Sequence, residues 1–318
     1  MRILIASPID PEAVVRLAEE HEVTCALGSS ASELARLVPG HDVLIFRSEV
    51  TLSKAVLREA TELKLLVRAG SGLDNVDLEE VERLRIPLLR IPGPSARAVA
   101  ELALAHMLAL ARNLLQLDGL VRQGHWAKHT FENHLLHGRT LGIVGVGNVG
   151  RRLGELGAAL GLRAVGCVKR PSLERAEALR RAGVVLASFD EVVAQADFLS
   201  IHVPLDETTR GLVGAEVFAR MKPGSYLIHL SRGGVVDEAA LHDALCSGER
   251  LRGAGLDAHE HEGSGVAARL RGLPNVVLTP HVGACTVDTQ RAIGREILAA
   301  VEALTTRHGS RPVLAATG

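Results

Sequence analysis

RTLGIVGVGNVGRRLGELGAALGLRAVGCVKR, residues 139–170, carries the succession strand, tight turn, helix, strand. An apolar run at 141–144 stops at Gly145, and Gly147 and Gly150 complete a G-x-G-x-x-G. Residues 149–160 read as a helix and 164–168 as a second apolar strand. Glycines at this spacing have separate tasks: a sharp turn, approach of the backbone to a pyrophosphate, and close helix–strand packing. Free N–H groups and the dipole at the start of the following helix favour an anion. A flexible glycine loop can share the spacing, but strand and helix flanking it in register point to a dinucleotide-binding turn. Its mid-chain position requires another folded unit before it.

A length of 318 residues suits about two domains. Hydrophobic residues make up 47% and aromatics only 2%, so the core is built from Leu, Val, Ala and Ile. Lys and Arg number 36 against 37 acidic residues, a net charge of −1. That balance argues against nucleic-acid or membrane-surface binding, which need a basic face. Cys25, Cys167, Cys246 and Cys285 are scattered without C-x-x-C spacing, which predicts neither a metal site nor a disulfide framework. No signal-peptide pattern precedes the first strand. The most apolar helical stretch, 99–111, contains Glu101 and His106 and is too short to span a bilayer. A cytoplasmic protein is expected.

Strands are predicted at 2–6, 21–25, 42–46 and 65–68, with helices at 11–20, 31–37 and 53–60 between them. Such alternation implies βαβ units and a parallel sheet. IPGPS at 91–95 reads as a joint, followed by a long helix at 96–117 with apolar residues on nearly every face. Beyond the glycine turn, strands are predicted at 184–185, 198–203, 225–230, 253–256 and 276–279, with intervening helices at 173–182, 189–195, 213–221 and 238–248. The last helix, 287–304, is expected to return to the first domain. The fold class is therefore α/β, with two doubly wound parallel-sheet (Rossmann-like) domains and a cleft between them. The first is discontinuous, residues 1–95 and 286–318; the dinucleotide-binding domain is 96–285.

Open α/β sheets bind ligands beyond the carboxyl ends of their strands. Three predicted strand ends in the second half carry candidates: Ser231-Arg232-Gly233-Gly234, Asp257 with Glu260 and Glu262 after it, and Pro280-His281-Val282-Gly283. Any one of these is ordinary alone, since the chain has 14 histidines and many surface arginines. A cation, a carboxylate and an imidazole at neighbouring strand ends make an acid–base site beside a dinucleotide.

Nearly end to end, the chain resembles the D-isomer-specific 2-hydroxyacid dehydrogenase family. The resemblance runs through RAGSGLDNVDLEE (68–80), AVAELALAHMLALARN (98–113), GIVGVGNVG (142–150), HVPLDETTRGLV (202–213), MKPGSYLIHLSRGGVVDEAAL (221–241) and GLPNVVLTPHVGA (272–284). It implies that the catalytic residues are Arg232, His281 and Glu262, with Glu260 the rival carboxylate and spacing favouring Glu262. Arg232 would hold a 2-keto acid by charge-assisted hydrogen bonds. His281 would pass a proton to the carbonyl oxygen as hydride arrives from a nicotinamide, with Glu262 favouring the protonated ring. Cofactor contacts are expected at Gly145, Gly147, Asn148, Val149, Gly150, Lys169, Arg170, His202, Val203, Pro204, Thr208, Leu230, Asp257 and Gly283. Substrate contacts are implied at Ser71 and Gly72, whose loop amides suit a carboxylate. Arg47 either lines the substrate pocket or is a surface arginine.

The chain departs from the family pattern in places. The acidic residue that binds the ribose 2′-hydroxyl is replaced by Val168, and Lys169 and Arg170 follow it. NADP(H) is therefore expected over NAD(H). His229 stands where an asparagine is usual, Ala258 and His259 replace a valine and an aromatic residue, and Glu262-Gly263-Ser264-Gly265 lacks a proline. The expected protein is a homodimeric NAD(P)-dependent dehydrogenase acting on a small 2-keto or 2-hydroxy acid such as glyoxylate or hydroxypyruvate. A phosphorylated substrate is disfavoured by the scarcity of cations in the first domain, and no appended regulatory domain is expected after the last helix. Phosphite- or phosphoglycerate-type dehydrogenases and dinucleotide-sensing corepressors share the scaffold and stay open as alternatives.

Overall fold

A computed structural model of the chain describes residues 1–263 and 265–307. Ser264, and the end of the expected first domain at 308–318, lie outside the described residues. The chain divides into two compact units, Met1–Ser95 together with the chain from Cys285 onward, and Ala96–Ala284.

The first unit holds strands β1 (Arg2–Ile5), β2 (Glu22–Cys25), β3 (Val43–Phe46), β4 (Leu65–Arg68) and β5 (Leu88–Arg90), all parallel, in the order β2-β1-β3-β4-β5. β3 and β4 are unbroken apolar or buried runs, VLIF and LLVR, as strands covered by helices on both faces must be. The helix Val287–Arg307 presents Ile293, Ile297 and Val301 at four-residue spacing to the cluster of Ile3, Ile5 and Leu17. Gly294 allows this approach, because a Cβ there would come within 2.9 Å of the Cβ of Asp10. The short helix Leu78–Leu84 and strand β5 are additions to the sequence reading, which passed from the Gly70–Gly72 loop directly to the proline segment.

The second unit holds β6 (Thr140–Val144), β7 (Arg163–Cys167), β8 (Val184–Leu186), β9 (Phe198–Ile201), β10 (Ser225–His229), β11 (Leu251–Leu256) and β12 (Val276–Leu278). They form one parallel sheet in the order β12-β11-β10-β9-β6-β7-β8. The winding reverses between β6 and β9, where the crossovers leave to opposite sides and a crevice opens beyond the strand ends. The glycine turn after β6 lies at that switch point.

Two expectations about the connecting segment are corrected. The two units divide at the end of IPGPS, after Ser95, but the segment does not break regular structure throughout, because the helix Gly93–Ala111 starts inside it. Pro94 falls in the first turn, where a helix needs no N–H from that residue. Nor does one helix run over 96–117. It stops at Ala111, Asn113 takes a left-handed conformation (φ 48°), and a second helix, Leu114–Arg122, departs at 62°. Asparagine is among the few residues that accept this backbone region at low cost. No single helix among the described residues is long and apolar enough to cross a membrane.

The helix Gly93–Ala111 lies against β11, which explains the glycines of that strand. A Cβ at Gly255 would fall 2.8 Å from the His106 ring, and one at Gly253 would fall 3.1 Å from Leu110. Gly255→Ala should therefore overpack this contact and cost about 1–3 kcal/mol. Urea denaturation should show a lower midpoint at unchanged slope.

Candidate active site

The glycine turn performs its three tasks at three different atoms. Gly145 has φ 94°, and a Cβ there would meet the His202 carbonyl at 2.9 Å. Gly150 abuts the Gly145 carbonyl oxygen, 2.6 Å from where its Cβ would stand, so helix and turn touch through backbone. A Cβ at Gly147 would meet nothing within 4 Å, which leaves an open face at the start of the helix Asn148–Ala159. That open face with its outward N–H groups suits a pyrophosphate.

A cavity of about 610 Å³ extends from Gly145 past Val168 and Lys169 to Leu186–Phe189, with Val203 and Thr208 on its other side. Its walls are apolar apart from the lysine and the hydroxyls, as an adenosine pocket requires. Turn and cavity together fit a dinucleotide. Lys169 donates to the Thr208 hydroxyl (3.1 Å) and stands 3.6 Å from the Asp206 carboxylate, so its charge is shared. Arg170 is exposed. His202 donates its backbone N–H to Val144, its ring meets Ser200 at 2.8 Å, and the Pro204 carbonyl accepts from Thr209. Leu230 is buried beneath the same strand ends.

The three chemical candidates stand beyond β10, β11 and β12. His281 Nδ1 donates to Glu262 Oε1 at 2.6 Å. Because a carboxylate only accepts, Nδ1 carries the proton and Nε2 is left for a substrate. Glu260 faces elsewhere: its carboxylate accepts from the Glu238 N–H (3.0 Å), and its own N–H donates to Glu238 (2.8 Å). The geometry thus pairs Glu262, and not Glu260, with the imidazole. Arg232 is half-buried, and its Nη1 donates to the Ser231 carbonyl at 2.8 Å.

His281 itself has φ 53°, an uncommon conformation for a residue with a Cβ. The turn is held by Asp257, which is 2% exposed. Its carboxylate accepts from the Thr279 hydroxyl (2.6 Å), the Val282 N–H (2.9 Å) and the Gly283 N–H (2.8 Å). Asp257, expected to touch cofactor, also anchors the histidine loop.

A family model described as D-isomer specific 2-hydroxyacid dehydrogenase, NAD binding domain, matches residues 104–283. Hydroxypyruvate reductase of Thermotoga maritima is 36% identical over 301 residues, covering 93% of this chain and 96% of that one. The chain belongs to this family. It is an NAD(P)-dependent 2-hydroxyacid dehydrogenase. D-3-phosphoglycerate dehydrogenase of Archaeoglobus fulgidus is 37% identical over 295 residues, but this chain spans only 55% of its length. Among solved structures, the TT0316 protein of Thermus thermophilus superposes with a TM-score of 0.87 at 32% identity, covering 99% of this chain and all of that one.

The remaining candidates of the dehydrogenase lie in the first unit. Ser71 is exposed, in a loop ordered by a residue that the sequence reading passed over. Arg68, 3% exposed, donates from Nε to the Gly72 carbonyl (2.8 Å), and a Cβ at Gly70 (φ 155°) would strike its guanidinium. Arg47 follows β3 and donates to Gln290 (3.3 Å), with Cys285 Sγ at 3.9 Å. Asn75 supports it from below by donating to the Arg47 carbonyl. Arg68 and Asn75 both sit in the RAGSGLDN segment, but only their partners, the Gly72 carbonyl four residues on and the distant Arg47 carbonyl, reveal what they do.

His229, at the end of β10, is 1% exposed, and burial pushes its ring down to about 3; the nearby His202, His259 and His281 push the same way, against a backbone hydrogen bond at Arg232. Burial likewise lowers His202, to about 4. The unfolded chain therefore takes up a proton at His229 below its ordinary value of 6.5 that the native state refuses until about pH 3. Stability is full above pH 6.5 and falls below it, at about 1.4 kcal/mol per pH unit for this one group. Urea unfolding between pH 4.5 and 7.5 should show at least that slope below pH 6.5, with His202 adding to it, and His229→Asn should reduce it.

Proposed function

We propose that this dehydrogenase reduces a small 2-keto acid of the glyoxylate or hydroxypyruvate kind to the D-2-hydroxy acid, using NADP(H) in preference to NAD(H). The observation that carries the proposal is the 2.6 Å contact of Glu262 with His281 beyond the sheet whose glycine turn fits a dinucleotide. The likeness to a hydroxypyruvate reductase over nearly the whole of both chains supports a small keto acid.

When bound, the nicotinamide supplies or accepts the hydride. Arg232 binds the keto acid through charge-assisted hydrogen bonds, its guanidinium steadied by the Ser231 carbonyl. His281 donates a proton from Nε2 to the carbonyl oxygen and in the reverse direction takes the hydroxyl proton. Glu262 holds Nδ1 and so fixes both the tautomer and the ring orientation. The loop amides at Ser71 and Gly72 receive the substrate carboxylate, and Arg47 lines the pocket for the rest of the acid. In this assignment the first unit contributes Arg47 and the Ser71–Gly72 amides, and the second holds the cofactor and supplies Arg232, Glu262 and His281.

Lys169 and Arg170, with no carboxylate at Val168, support NADP(H). Asp206 tempers this, since it already shares Lys169, and a 2′-phosphate must compete with it. A moderate rather than absolute preference follows. The expected homodimer is supported by apolar side chains left exposed on and after the two bent helices: Leu114, Leu115, Val121 and Trp126, the last 85% exposed.

Oxidation of NADPH and NADH should be followed in parallel with glyoxylate and hydroxypyruvate. Turnover is expected to be faster with NADPH, and His281→Ala should lower kcat by about 10²–10⁴-fold while cofactor binding persists. Replacing Lys169 and Arg170 by alanine should lower the NADPH:NADH ratio of kcat/KM by roughly tenfold or more. A wild-type preference for NADH would end the 2′-phosphate assignment without touching the dehydrogenase chemistry.

A further inference from the structure

We propose that His259 is a positioning residue, which fixes the Glu262–His281 pair by donating a hydrogen bond to the carbonyl of Thr279. This rests on the assignment of that pair as the proton-transfer groups.

His259 is 3% exposed, and its Nε2 lies 2.9 Å from the Thr279 carbonyl oxygen. A carbonyl can only accept, so Nε2 carries the proton. The same oxygen accepts the backbone N–H of His281 at 3.1 Å. Both lone pairs of one carbonyl are thus used, one to close the turn that gives His281 its φ of 53° and one by the His259 ring. A left-handed histidine persists only where its surroundings over-determine it. Asp257 secures the Thr279 hydroxyl and the N–H groups of Val282 and Gly283, but it does not touch this carbonyl. His259 supplies the missing restraint.

The residue also reaches the other two catalytic loops. Three positions after it in the chain stands Glu262, and the intervening Glu260 is pinned to Glu238 by two hydrogen bonds. On the third side, the His259 carbonyl occupies the space where a Cβ of Gly233 would stand, directly after Arg232. One buried side chain and its backbone therefore meet the segments that carry Arg232, Glu262 and His281.

The ring nitrogens separate donation from space filling. Nδ1 has no hydrogen-bond partner, and the nearest carboxylate oxygen, on Glu238, is 3.9 Å away. Burying an unpartnered nitrogen is unfavourable, and a hydrocarbon ring of the same size would avoid it. What the imidazole adds over such a ring is the Nε2–H bond to Thr279.

The test compares wild type, His259→Phe and His259→Gln for kcat, keto-acid KM, cofactor Kd and thermal midpoint, together with the ¹⁵N ring signals of His281 identified by their loss in His281→Ala. His259→Phe should bind cofactor as wild type does, with kcat lower by about ten- to a hundredfold and keto-acid KM within about threefold. His259→Gln, whose amide can reach the same carbonyl, should keep kcat within about threefold of wild type. The His281 ring signals should move in His259→Phe toward those of Glu262→Gln and stay in place in His259→Gln. Unchanged kcat and ring signals in His259→Phe overturn the proposal, as do equal losses in both variants. If His259→Phe does not fold, a His259→Gln protein whose ring signals shift as in Glu262→Gln also overturns it. Absence of turnover in wild type would instead refute the keto-acid assignment, and the ring signals would still decide the role of His259.

Discussion

A carboxylate taken almost wholly out of water is tolerated only when its oxygens are filled, and Asp257 organises the active end of the second unit on that condition. Its two oxygens take three donors, the Thr279 hydroxyl and the N–H groups of Val282 and Gly283. Leaving any of the three unmade would expose a buried charge to its full desolvation cost. The end of β11 and the loop after β12 are consequently one structural unit, although 22 to 26 residues separate the partners. His281 lies between the anchored residues and inherits their rigidity. Glu262, on the continuation of the chain from Asp257, meets it there.

Close backbone approach is the second recurring constraint in this unit. Gly145, Gly150 and Gly154 bring the helix Asn148–Ala159 down onto the sheet, and Gly253 and Gly255 do the same for Gly93–Ala111 on β11. Aromatic side chains are scarce, and the core is filled by Val, Leu, Ile and Ala, which lets helices lie near the sheet. The chemical consequence is positional. Helices held this near to the strands leave the strand ends and their loops as the free edge of the sheet, with the reversal of winding between β6 and β9 opening space for a dinucleotide.

Most strands were legible as apolar runs closed by turn residues, and their observed bounds differ from the reading by a residue or two, as with 141–144 against Thr140–Val144. What escaped notice was short or depended on distant partners. β5 has three residues, too few for periodicity to register, and the break at Asn113 follows from one backbone conformation that carries no strong local signal. At the site, residue types and strand-end positions singled out Arg232, His281 and two rival glutamates. Spacing favoured Glu262 over Glu260, and the 2.6 Å contact with His281 agrees, while reciprocal bonds to Glu238, 22 residues away in sequence, hold Glu260 elsewhere. Arg68 looked like the last residue of a strand. It is that, and its buried guanidinium also shapes the loop after it, to which no spacing rule points.

His229 shows how a departure from family pattern is absorbed. A neutral imidazole offers one donor and one acceptor, much as a side-chain amide does, so it can take a position where asparagine is usual provided it stays uncharged. Its surroundings enforce this. The ring is shut away from water, and three other histidines press in the same direction. In the proposed assignment, a second positive charge three residues before Arg232 would compete for the anion that the guanidinium holds. Keeping His229 neutral leaves that guanidinium as the fixed cation of its loop, and the accompanying cost appears where it does not trouble the chemistry, in the stability of the fold at acid pH.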